Sequence, residues 1–131
     1  MKPVAPRIRD IYLELLALDV TQFPNAAAVL FRVFLELSID HYMNQHTLKL
    51  APKIQASLAN KMKLVAEHLN KAGKINQQLK RAVDSAASPE KSVLSASTFR
   101  FNQYVHNYHA FAKPQDLFAS WDELEPFLEK L

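Results

Sequence analysis

Residues 95–111 read SASTFRFNQYVHNYHAF and set Arg100, His106 and His109 among five aromatic side chains. Asn102 and His106 stand four apart, so on a continuous helix they share a face. Arg100 precedes His106 by six residues and lies round to one side, yet its long side chain can reach the same phosphate. Together the guanidinium, the amide and the imidazole could grip a phosphodiester. The competing reading is structural, an Arg–His pair at the end of a helix.

Other chemistries find less support. His41 and His46 are five apart, an awkward separation for one metal ion, and no HExxH pattern occurs. Ser95 and Ser97 lack the flanking glycines of a nucleophile elbow. With one glycine in the chain, Gly73, phosphate-cradling loops and dinucleotide fingerprints are excluded. No metal and no cofactor is expected. The acids of WDELEPFLEKL read as the wet face of a helix whose dry face holds Phe118 and Trp121.

Arg32, Glu36 and Asp40 repeat every four residues on the most apolar segment of the chain, so they stack along one helix face. An arginine placed so centrally needs a carboxylate, and Glu36, one turn on, is the nearest. The three either fix helix register or support a site on a neighbouring helix. Charge is also uneven. Residues 49–91 carry nine Lys or Arg against three acids, whereas both flanks are slightly acidic. Lys53, Lys61, Lys63, Lys71 and Arg81 are candidates for contacting a polyanion such as nucleic acid. Their other reading is the solvated face of an amphipathic helix pair.

These residues need helices to position them. Scarce glycine argues against tight hairpins, and no Asn-Gly or Asp-Gly pair is present, so the chain reads as all-α. Apolar spacing predicts helices over about 6–18, 25–44, 75–86 and from 115 onward, with the second as the central helix. Ile54, Leu58, Met62, Val65 and Leu69 form a stripe whose helix is expected to start near Pro52 and to end at Gly73 in a left-handed cap. Pro126 is expected to kink or restart the last helix. At 131 residues the chain fits one domain over 7–131, with 1–6 as a linker, and it reads as a possible piece of a larger protein. No cysteine, signal peptide or membrane span is evident, which fits a soluble cytoplasmic protein.

With LFRVFLELSIDHYM on an early long helix and RFNQYVHN on a late one, the sequence resembles the HEPN superfamily. That superfamily's signature is an arginine, four to six residues of any type, then a histidine. Arg100 and His106 enclose five. The closing PQDLFASWDELEPFLEKL is similar to the last helix of bacterial HEPN-like domains, so the resemblance runs from about Arg7 onward. It implies a bundle of four or more helices that commonly dimerises, so the chain is expected to be an all-α, HEPN-like bundle of about five to six helices that forms a homodimer. It further implies RNA binding and metal-independent endoribonuclease activity in a toxin–antitoxin or phage-defence system. His106 would then transfer protons during attack of the ribose 2′-OH, Arg100 would hold the phosphate, and Asn102 would orient phosphate or imidazole. Phe101 follows the arginine where many active members place a polar residue. The alternative is a catalytically silent helical module that dimerises or regulates an attached effector or antitoxin.

Overall fold

The computed structural model describes residues 3–87 and 113–131. Among these residues the chain is all-α, with five helices and no strand. The first, α1 (Pro6–Ala17), opens with proline at its first position, where a missing N–H removes no helical bond. Ile8, Ile11 and Leu15 follow at helical spacing and turn into the core. In the turn that follows, the Asp19 carboxylate accepts from the Gln22 N–H at 3.1 Å.

Helix α2 (Pro24–Gln45) is central, packing against α1, α3 and α5. Leu35 and Ile39 are fully removed from water, as the apolar segment predicts. Val29 is an exception at 43% exposed. The next helix does not start at Pro52. Helix α3 (Leu58–Lys71) begins after Ser57, whose hydroxyl accepts from the Asn60 N–H at 3.2 Å. A side-chain oxygen satisfies an open helix donor, which proline cannot do. Ile54 consequently lies outside the helix and is 48% exposed, while Met62, Val65 and Leu69 form a buried stripe.

Gly73 ends α3 as expected, with φ at 73°. The Lys74 N–H returns to the Leu69 carbonyl at 2.9 Å, and the Gly73 N–H to that of Asn70 at 3.0 Å. This paired closure is typical of a left-handed helix cap. Helix α4 (Gln77–Ala86) follows after Asn76, whose side chain accepts from the Leu79 N–H at 2.8 Å. Ile75 is buried just before that cap, and its carbonyl accepts from the Asn70 amide at 3.2 Å.

Helix α5 (Pro114–Leu128) runs unbroken through Pro126. Proline removes the bond to the carbonyl four residues back, that of Asp122. Both residues are exposed, so water can satisfy that carbonyl without a restart. Trp121 packs where α1, α2 and α5 meet, edge-on to Phe31 at 5.5 Å and stacked on Tyr12 at 6.1 Å. Phe118 departs from the expected dry face and is 52% exposed. Helix α4 also packs against α3 and α5, so all five helices share one core.

Candidate nucleic-acid interface

Arg100, Asn102 and His106, together with His109, lie outside the described residues. The helices on either side of them in sequence, α4 and α5, pack against each other.

On α2 the predicted polar stripe divides. Arg32 meets Glu36 at 2.7 Å, the pairing that the four-residue spacing suggests. Asp40 instead reaches across to Lys61 of α3 at 2.9 Å. Both pairs are partly solvated, so each contributes up to about 1 kcal/mol; the first lies within α2 and the second links α2 to α3.

The predicted basic residues likewise fall into two groups. Lys61 is held by Asp40, and Lys71 by Glu67 at 2.9 Å. The hydrogen bond from Lys71 lowers the Glu67 carboxyl below its ordinary range, with its charge adding to the effect. Lys53 stands exposed on the α2–α3 connection and Arg81 on α4. Lys63 lines a groove of about 640 Å³ between that connection, α3 and α4. Lys49 and Lys80 line it too, with Glu67 and Asp84 as its acids and Leu50, Ile54 and Leu64 as its apolar floor. Lys80 bonds Asp84 at 2.8 Å.

Lys49 and Lys80 were not singled out from the sequence. The excess of base over acid in residues 49–91 was the available signal, but only the packing of α4 on α3 brings them to Lys63. Among the described residues, Lys49, Lys53, Lys63, Lys74 and Arg81 take part in none of the ion pairs. Five cations in one stretch are therefore available to a polyanion.

Two further features stand apart. Tyr42, buried on α2, shares a 2.8 Å hydrogen bond with Nδ1 of His68 on α3, and burial raises its phenol above the ordinary value. His46 lies against Tyr42 with ring centres 4.1 Å apart. Elsewhere, an apolar groove of about 370 Å³ runs between the end of α1 and α5, lined by Leu15, Leu16, Phe31, Leu117, Phe118 and Trp121 among others. Among the described residues no three histidines or carboxylates gather as a metal cluster. No described helix is long and apolar enough to cross a membrane.

No family model, curated protein or solved structure matches the chain.

Proposed function

We propose that this chain is a HEPN-like helical module that binds RNA along its α3–α4 groove and cleaves it through Arg100 and His106. The observation that carries the binding half is Lys49 and Lys63, outside the ion pairs, beside Lys80 over an apolar floor. Such a groove attracts phosphates through its lysines, and Leu50, Ile54 and Leu64 give it apolar surface against which unpaired bases can lie. The cleavage half rests on the resemblance of RFNQYVHN to the Arg–His signature. In that chemistry His106 moves the proton of the 2′-OH, Arg100 steadies the phosphate and Asn102 orients them.

Incubating the chain with RNA in EDTA tests the cleavage half. Fragments ending in 2′,3′-cyclic phosphate are expected, together with their loss in His106→Ala at unchanged helical content. Intact RNA with the wild-type chain refutes it.

The exposed apolar groove favours a second reading, a silent module that homodimerises or docks an effector or antitoxin. Leu16 at 58% and Phe118 at 52% exposed supply that surface. Sedimentation that finds a dimer lost on Leu16→Asp, with RNA neither bound nor cut, selects this reading.

A further inference from the structure

His46 and His41 are poorly spaced for a common metal ion, but the fold gives His46 a different neighbour. The rings of His46 and His68 have centres 5.1 Å apart. We propose that these two imidazoles form a site for a borderline divalent cation such as Zn²⁺ or Cu²⁺, where α2 and α3 end together.

The ring separation fits a chelate. A cation about 2.0–2.1 Å from a ring nitrogen lies about 3.2 Å from that ring's centre, so two rings at a tetrahedral angle have centres about 5.2 Å apart. The bond between His68 Nδ1 and Tyr42 supplies the support that a metal-binding imidazole uses. When Nδ1–H donates to the phenol oxygen, Nε2 keeps its lone pair for the cation, and the ring is held in orientation.

Backbone charge acts in the same direction. His46 is the cap residue that ends α2, and His68 stands in the last turn of α3. Both imidazoles therefore sit at the partially negative end of a helix dipole, which favours a cation. Lys71 is turned to Glu67. Two protein nitrogens leave the remaining coordination positions to water or to a donor from a bound partner. The site is independent of the RNA reading.

Calorimetric titration of the full chain with ZnCl₂ and with CuCl₂ is the test. One cation per chain is expected, with affinity falling about tenfold or more in His46→Ala and in His68→Ala. His41→Ala and the pair His106→Ala with His109→Ala are expected to bind like wild type. Unchanged affinity in His46→Ala, no binding by wild type, or loss only in the His106/His109 pair overturns the proposal. Should His68→Ala fail to fold, Cu²⁺ broadening of wild-type imidazole resonances decides. The rings of His46 and His68 are expected to broaden first, and broadening elsewhere first overturns it.

Discussion

Tyr42 of α2 and His68 of α3 are joined across the helix interface by a 2.8 Å bond from phenol oxygen to Nδ1. It is a polar link beside an apolar seam in which Met62, Val65 and Leu69 are fully buried. Tyr42→Phe is expected to cost about 1 kcal/mol, since one net hydrogen bond is lost and the partly exposed His68 can turn to water. Urea unfolding in EDTA measures it.

Alkali should act through the same residue. Burial raises the Tyr42 phenol, so the folded state holds its proton more tightly than the unfolded state. The associated stability is fully present below the ordinary value of 10.0 and is lost as pH rises through the folded value. In EDTA, Tyr42→Phe should flatten the alkaline limb of the stability curve. An identical limb would contradict this.

Gly73→Ala isolates backbone strain. A Cβ there meets nothing within 4 Å, so no clash contributes, but φ stays at 73°. The cost is expected to be about 1–2 kcal/mol, seen as a lower urea midpoint at unchanged slope. Gly73→Asn should cost less, because asparagine tolerates this conformation.

Leu35 and Leu16 should respond in opposite ways. Leu35 is fully buried, and Leu35→Ala is expected to cost about 2–5 kcal/mol through lost burial and the cavity left behind. Leu16 is 58% exposed, and in the monomer Leu16→Ala should stay within about 0.5 kcal/mol. A concentration-dependent loss of stability in Leu16→Ala would reveal the α1–α5 groove as an interface.

Much of the helical frame was legible because it rests on local chemistry. Gly73 was readable as a cap since a positive φ favours glycine, and Arg32 with Glu36 since one helical turn separates them. Pro52 and Ser57 both carry start signals, and α3 starts after the second because the serine oxygen satisfies a backbone donor where proline satisfies none. The apolar pattern of the last helix puts Phe118 beside Leu117 and Trp121, yet it is 52% exposed, because a pattern does not say which neighbouring helix covers each position. The union of Lys49, Lys63 and Lys80, and of His46 with His68, was beyond periodicity. Each joins residues far apart in sequence and exists only through helix packing. Arg100, Asn102 and His106 remain a reading of the sequence.

The most direct test of the central claim is anisotropy of a labelled, unstructured RNA titrated with the chain across a salt series. The logarithm of the association constant is expected to fall linearly with the logarithm of salt concentration. Lys49→Gln with Lys63→Gln should lower affinity and reduce the slope by about 1.4, two phosphate contacts at single-strand values. Affinity and slope equal to wild type in that double variant would contradict the assignment of the α3–α4 groove to RNA.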